Sequence, residues 1–241
     1  MGQFYAITPF TLLDYPGEAA CIAWFARCNL RCVYCHNPEM VQGSGNVDTD
    51  TLLEFLNKRQ GLLSGVVLSG GEATLNPSLP QLTREIKNIG FKIKLDTNGT
   101  RPHILADLLK DRLLDYVALD YKCPASRTPS LIGTSKFADA VRQSLELLIE
   151  SAKERTGFEV RTTFHADLMS EDDLSEIIEE LDCRGYQGTY YIQNIEAYGK
   201  RTLGNIAKPS RSVASERLPQ PKNFKLAFRN FKDQTGSTIS D

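Results

Sequence analysis

Three cysteines, Cys28, Cys32 and Cys35, stand within eight positions of one another in ARCNLRCVYCHNPE, residues 26–39. Thiolates bind soft metals, and iron–sulfur clusters are usually held by four of them. A zinc knot asks for four ligands and a disulfide for two, so an odd local count suggests an incomplete coordination shell. A three-thiolate site leaves one position open, as in metal centres that bind a substrate. The competing possibility is zinc held by the three cysteines and His36. The adjacency of Cys35 and His36 makes joint chelation awkward, and zinc knots favour paired C-x2-C spacings. Cys21, Cys123 and Cys183 are scattered, and are expected to be small packed residues.

These cysteines must be positioned by the elements around them. CIAWFAR (21–27) reads as a strand that leads straight into the cluster of thiols. Helical and strand patterns then alternate. TLLEFLNKRQ (51–60) is a helix with Asp48 or Thr49 as cap, GVVLSG (65–70) a strand ending in glycines, and LPQLTREIKNIG (79–90) a helix stopped by Gly90. KIKLDTNG (92–99) alternates as a strand, HILADLLKDRLL (103–114) is a helix, and YVALDYK (116–122) a strand. Residues 136–157 form the longest amphipathic pattern, with Gly157 at its end. FEVRTTF (158–164) is a strand, SEDDLSEIIEELDCRG (170–185) a helix capped by Ser170, and TYYIQNI (189–195) a strand.

Six β units with helices between them call for parallel strands and right-handed crossovers. A doubly wound sheet and an open or closed barrel both fit this rhythm. Residues 200–223 are rich in Lys, Arg, Ser and Pro and read as a loop or mobile extension. A short strand is expected at 224–228 and disorder in the tail KDQTGSTISD. The domains expected are thus 1–199 and a polar extension, 200–241.

Polar residues close five successive strands: Cys28, then Ser69–Glu72, Asp96–Gly99, Asp120–Lys122, and His165. In parallel α/β folds ligands bind at the carboxyl ends of the strands. A polar βα loop is ordinary, but five in series with a cysteine cluster indicate a site.

Composition bounds the partners. The 241 residues carry 28 Lys and Arg against 30 Asp and Glu, a formal net charge of -2. That balance gives no electrostatic case for nucleic acid or an anionic membrane. No apolar run approaches a membrane span. MGQFYAITPF has no leader pattern, which predicts a cytoplasmic protein.

C-x3-C-x2-C with Tyr34 before the last cysteine, followed by SGGE after the next strand, resembles the radical S-adenosylmethionine superfamily. The resemblance covers about residues 10–196 and implies a partial (β/α)6 barrel. DYPG (14–17), CHNPE (35–39), DTNG and ALDYK are similar to the activases of glycyl radical enzymes. LLDYPG and RTTFHADLMSEDDL (161–174) look most like the activases of anaerobic ribonucleoside-triphosphate reductase.

The resemblance implies roles. Cys28, Cys32 and Cys35 would hold three irons of a 4Fe–4S cluster, the fourth iron taking the amino and carboxylate groups of S-adenosylmethionine. Backbone around Tyr34 would lie against adenine. Gly70, Gly71 and Glu72 would meet the methionine amino group, glycine allowing close approach and the carboxylate accepting hydrogen bonds. Asp96, Thr97 and Asn98 would sit near the ribose and methionine end. Lys122 would pair with the cofactor carboxylate, and His165 would reach ribose or substrate. A monovalent cation is implied near Asp96, Thr97 and Asp120. Each residue also has a plainer role. Glu72 can cap a helix, Asp96 and Asn98 can form a turn, Lys122 and Asp120 can pair, and His165 can be a satisfied structural histidine.

The chemistry so implied is reductive cleavage of S-adenosylmethionine to a 5′-deoxyadenosyl radical, which takes a glycine Cα hydrogen from a partner protein. The electron would come from a low-potential donor such as flavodoxin or ferredoxin. The alternatives are a small-molecule enzyme of the superfamily, such as a carboxydeazaguanine synthase, and a structural metal-binding module. The chain lacks the ferredoxin-like insert of some activases, having no cysteine between Cys35 and Gly70. It departs from relatives at Cys123, and at Arg27, where glycine is frequent.

Overall fold

The computed structural model describes residues 3–154, 156–195 and 202–231. Its elements are β1 (Phe4–Thr11), β2 (Ala20–Phe25), α1 (Pro38–Gln42), α2 (Thr49–Asn57), β3 (Gly65–Gly70), α3 (Leu79–Ile89), β4 (Lys92–Thr97), α4 (Pro102–Lys110), β5 (Tyr116–Asp120), α5 (Thr128–Ile132), α6 (Ala138–Ala152), β6 (Gly157–Phe164), α7 (Glu171–Cys183), β7 (Thr189–Asn194) and β8 (Lys225–Arg229). The strands form one sheet in the order β1 to β8. A doubly wound sheet reverses its strand order at a switch point; a monotonic order is that of a singly wound, barrel-type sheet. The sheet is not closed, and the fold is a partial barrel. Pairings β2–β3, β3–β4, β6–β7 and β7–β8 are parallel.

By internal packing the chain forms two compact units. The first takes the chain to Asn29, then Glu39–Ala118 and Ala140–Phe158; the second takes Leu30–Pro38, Leu119–Asp139 and the chain from Glu159.

In the first unit Leu79, Leu82, Thr83 and Ile86 line one face of α3, at the spacing of a helical stripe. They are buried, as are Val66, Val67 and Leu68 of β3 and Ile93 and Leu95 of β4. Asp48 is the cap of α2, accepting from the Thr51 N–H, and Gly90 ends α3 at φ 107°. Tyr15 of the DYPG turn packs with Ala20, Ile22 and Val67. Strand β1, which sequence patterning does not reveal, pairs antiparallel to β2 with an irregular register between Thr8 and Thr11. Pro9 lies there; a residue without an N–H is tolerated on an edge strand. Gly157 opens β6 and does not end the helix before it. A Cβ there would lie 2.8 Å from the Tyr116 ring.

In the second unit α7 is opened by a capping box between Ser170 and Asp173. Its buried residues Leu174, Ile177, Ile178 and Leu181 belong to the same core as Tyr186, Tyr190 and Phe224. Tyr186 packs tilted and Tyr190 edge-on against Phe224, at centroid distances of 5.4 and 6.3 Å. The expected strand at 224–228 is β8, shifted by one residue. Cys183 is exposed, at the end of α7, and is not the packed residue expected; Cys21 and Cys123 are buried.

The segment 202–218 is irregular, as expected of a loop, but it is pinned rather than loose. Leu203 and Gly204 donate backbone N–H bonds to the carbonyls of Cys35 and Val33 at 2.9 and 2.8 Å. Arg211 makes a two-pronged ion pair with Glu171 at 2.6 and 2.9 Å, and Ser210 N–H donates to Asp167. The expected tail disorder, and the boundary expected at residue 199, lie outside the described residues.

Candidate functional site

In the first unit, SGGE and DTNG form one hydrogen-bonded device. After β3 the chain turns at Gly70, φ 115°. A Cβ at Gly70 would lie 2.5 Å from the Phe25 backbone, and one at Gly71 would lie 1.9 Å from the Arg27 carbonyl oxygen. Glycine is therefore required here by the backbone at the end of β2 and just beyond it, whatever ligand comes near. The Gly71 and Glu72 N–H groups donate to the carbonyls of Phe25 and Arg27, each at 2.8 Å. This lashes the glycine turn to the residues just before Cys28.

The turn directs Glu72 inward, leaving it 2% exposed. Its Oε1 accepts from Thr74 N (3.1 Å), Thr74 Oγ1 (2.5 Å) and Thr97 Oγ1 (2.8 Å), and its Oε2 accepts from Asn98 N (2.8 Å). It thus caps the short 3-10 turn Ala73–Leu75 and also ties the end of β3 to the end of β4. All four donors are electrically neutral. Burial raises the Glu72 pKa, and the hydrogen bonds only partly oppose it.

Asn98 carries the link to the cysteines. Its Oδ1 accepts from the Thr100 N–H and hydroxyl, fixing the turn. Its Nδ2 donates to Asn29 Oδ1 at 3.1 Å and lies 3.8 Å from Cys28 Sγ. Asp96 accepts from Ser69 Oγ at 3.0 Å and pairs with Lys94 at 2.6 Å. Arg27 adopts φ 74°, a left-handed conformation that favours glycine. That conformation suits the glycine frequent at this position, and nothing in the structure explains the arginine here.

In the second unit the loop of Cys32 and Cys35 is held by its peptides. Arg31 and Val33 N–H groups donate to the carbonyls of Ile132 and Leu131, and Cys35 N–H to that of Cys32, each at 3.0 Å. With Leu203 and Gly204 donating from the other direction, the loop has little backbone freedom. Burial pushes the Cys32 thiol up to about 11. Buried Tyr34 donates its hydroxyl to the Lys122 carbonyl at 3.3 Å.

Lys122 Nζ lies 3.0 Å from Asp120 Oδ2, and Arg161 Nε lies 3.0 Å from Asp120 Oδ1. The chain of charges continues on that unit's strands. Arg229 is bidentate to Glu159 at 3.1 and 3.2 Å and stacks over Tyr191 at 3.3 Å. Partial burial favours protonation of Asp120, but Arg161 and Lys122 outweigh it and hold its pKa at about 2. His165 is buried, with Nε2 3.0 Å from the Ala207 carbonyl and Nδ1 accepting from the Asp167 N–H at 3.3 Å. Both ring nitrogens are thus engaged by the chain's own backbone.

The sequence did not single out Lys94, Glu159, Arg161 or Arg229. A signal existed for Lys94, since alternation in KIKLDT puts Lys94 and Asp96 on one face. Arg161 and Glu159 share a face of β6 for the same reason. Among the described residues no three His, Cys, Asp or Glu side chains are grouped as ligands of one metal ion. No helix among them is long and apolar enough to cross a membrane.

The family model of the radical SAM superfamily matches residues 22–184, more than half the chain. The chain belongs to the radical SAM superfamily. The match spans Cys28 to His165. A Methanocaldococcus jannaschii protein named "Putative glycyl-radical enzyme activating enzyme MJ1227" is 31% identical over 225 residues, 91% of this chain and 87% of that protein. Pyruvate formate-lyase-activating enzyme of Clostridium pasteurianum is 34% identical over 131 residues, 51% of this chain and 53% of that one. PqqA peptide cyclase of Methylorubrum extorquens is 36% identical over 115 residues, 46% of this chain and 30% of the relative. Among solved structures, Streptococcus suis SuiB bound to precursor peptide SuiA superposes with a TM-score of 0.64 at 15% identity, over 88% of this chain and 48% of SuiB. The chain thus spans most of the first relative but about half or less of the others. As a radical SAM enzyme it uses a 4Fe–4S cluster and S-adenosylmethionine.

Proposed function

We propose that this chain is a glycyl radical enzyme activase, acting on an anaerobic ribonucleoside-triphosphate reductase. The observation that carries this is similarity over nearly the whole of both chains to a protein named as such an activating enzyme. The LLDYPG and RTTFHADL segments support the finer choice of partner. Phe10, Leu12 and Leu13 are exposed, Leu13 at 93%, and an apolar run of this kind suits a protein partner.

The residues fit the cofactors. Cys28, Cys32 and Cys35 are soft donors, the last two in a loop whose backbone is pinned at alternate peptides, and would hold three irons of the cluster. When bound, cluster and S-adenosylmethionine supply a 5′-deoxyadenosyl radical by one-electron reduction, from a flavodoxin- or ferredoxin-type donor. Glu72 is the residue best suited to the methionine amino group, because its buried charge meets only neutral donors and gains from a bound cation. Gly70 and Gly71 aim Glu72. Thr97 and Asn98 hold it, with Asp96 beside them. Lys122 would take the cofactor carboxylate, and the backbone at Tyr34 the adenine. His165 is assigned to holding the 202–218 segment at Ala207, and not to ribose.

An enzyme acting on another peptide or a small molecule is the alternative, favoured by the partial similarity to PqqA peptide cyclase. Anaerobic incubation of the reduced, reconstituted chain with S-adenosylmethionine and an anaerobic ribonucleoside-triphosphate reductase decides between them. A glycyl radical signal by electron spin resonance is expected. Its absence with every glycyl radical protein tried, alongside turnover of a peptide or small molecule, would overturn the assignment.

A further inference from the structure

Lys94 is 2% exposed, an unusual position for a lysine. It projects from β4 on the same face as Asp96, two residues on, and its Nζ lies 2.6 Å from Asp96 Oδ1. Ser69 Oγ donates to the other carboxylate oxygen at 3.0 Å. An ammonium withdrawn from water costs several kcal/mol unless a carboxylate compensates it. The pair is therefore mutually required.

Asp96 is one of the carboxylates at which an exchangeable monovalent cation was expected. The other, Asp120, carries its own fixed cations, with Lys122 and Arg161 each 3.0 Å away. An ammonium and a potassium ion bring the same charge to a carboxylate oxygen. Where the ammonium is tethered and buried, the carboxylate charge that would attract the ion is already met.

We infer that Lys94 is the resident cation of Asp96, a positioning residue that replaces an exchangeable Na+ or K+ at the end of β4. This rests on the strand ends being the cofactor site only for its effect on cofactor affinity. The charge substitution itself stands on the Lys94–Asp96–Ser69 contacts.

The test compares the wild-type chain and Lys94→Met in KCl, NaCl and tetramethylammonium chloride at equal ionic strength. Thermal melting and S-adenosylmethionine affinity are both read. Wild type should melt at the same temperature in all three salts, with affinity unchanged within about twofold. Lys94→Met should melt lower in tetramethylammonium and recover in KCl or NaCl, with affinity following by about tenfold. A wild-type melting temperature raised by K+ or Na+ over tetramethylammonium would overturn the inference, as would a folded Lys94→Met that ignores the salt. Should Lys94→Met fail to fold, Lys94→Arg replaces it. The arginine variant is expected to keep the wild-type indifference to salt, and an acquired dependence would count against a purely electrostatic role. Melting needs no radical chemistry, so the salt response of a chain that lacked the proposed activity would still reveal whether Lys94 serves as the cation of Asp96.

Discussion

Glu72 in the first unit and Asp120 in the second both close a β strand, and they meet the cost of a withdrawn charge in opposite ways. Glu72 is surrounded by two N–H groups and two hydroxyls, all neutral, and burial raises its pKa. Asp120 lies between Arg161 and Lys122, which hold its pKa at about 2 against partial burial. Neutral donors fix a carboxylate in place without cancelling its charge. Cations do both. Glu72 is thus oriented but still favours a positive ligand, while Asp120 is the centre of a finished group of three charges with Arg161 and Lys122.

The two carboxylates are expected to respond differently to loss of charge. Asp120→Asn removes the carboxylate that Arg161 and Lys122 share, leaving Arg161 the longer contact to Glu159 at 3.9 Å, and should cost roughly 2 kcal/mol at neutral pH, read from chemical denaturation. The pH dependence sharpens this. A depressed pKa gives stability that is complete above the ordinary carboxylate range near 4 and is lost as pH falls toward 2, so the wild type should weaken over that window more steeply than Asp120→Asn, in which Glu171 still titrates. Glu72→Gln should change stability by less, within about 1 kcal/mol, because losing a hydrogen bond is offset by losing a buried charge. The sign is opposite too. A raised pKa gives stability at low pH that fades as pH rises through it, so wild type should lose ground to Glu72→Gln on going from acid to neutral pH. Cofactor affinity should nonetheless fall about tenfold in Glu72→Gln, by titration calorimetry, with iron content unchanged.

The second unit's reliance on ion pairs extends to Glu171, whose hydrogen bonds from Arg211 hold its pKa at about 2. Arg211→Ala should cost about 1 kcal/mol, since the arginine itself is largely exposed, and should loosen the 202–218 segment, seen as faster amide exchange at Leu203 and Gly204. The smallest effect is expected in the first unit, where Arg27→Gly relieves the left-handed backbone and should stabilise by at most about 1 kcal/mol.

What could be read from sequence follows the same division. The strands of GVVLSG and KIKLDT announce themselves by alternation and by the glycines that stop them, and the turn residues of SGGE and DTNG form their contacts within short reach of those strand ends. Periodicity left the doubly wound and barrel sheets unresolved, because strand order is a long-range property. β1 stayed hidden because Pro9 interrupts it and its outer face is exposed. The 202–218 segment has no period to detect. Its order comes from Arg211 on Glu171 and Gly204 on Val33, pairs far apart in the chain. Arg161 and Glu159 look like ordinary strand charges until Asp120 and Arg229 are seen beside them.

Cys28, Cys32 and Cys35 are proposed to hold the 4Fe–4S cluster at which S-adenosylmethionine is cleaved. Purifying the chain without oxygen, reconstituting it with iron and sulfide, reducing it and measuring 5′-deoxyadenosine after adding S-adenosylmethionine tests this directly. The wild type should bind about four irons and form 5′-deoxyadenosine, and Cys32→Ala should do neither. A chain that takes up zinc in place of iron, or that holds its full iron and leaves S-adenosylmethionine intact, would contradict it.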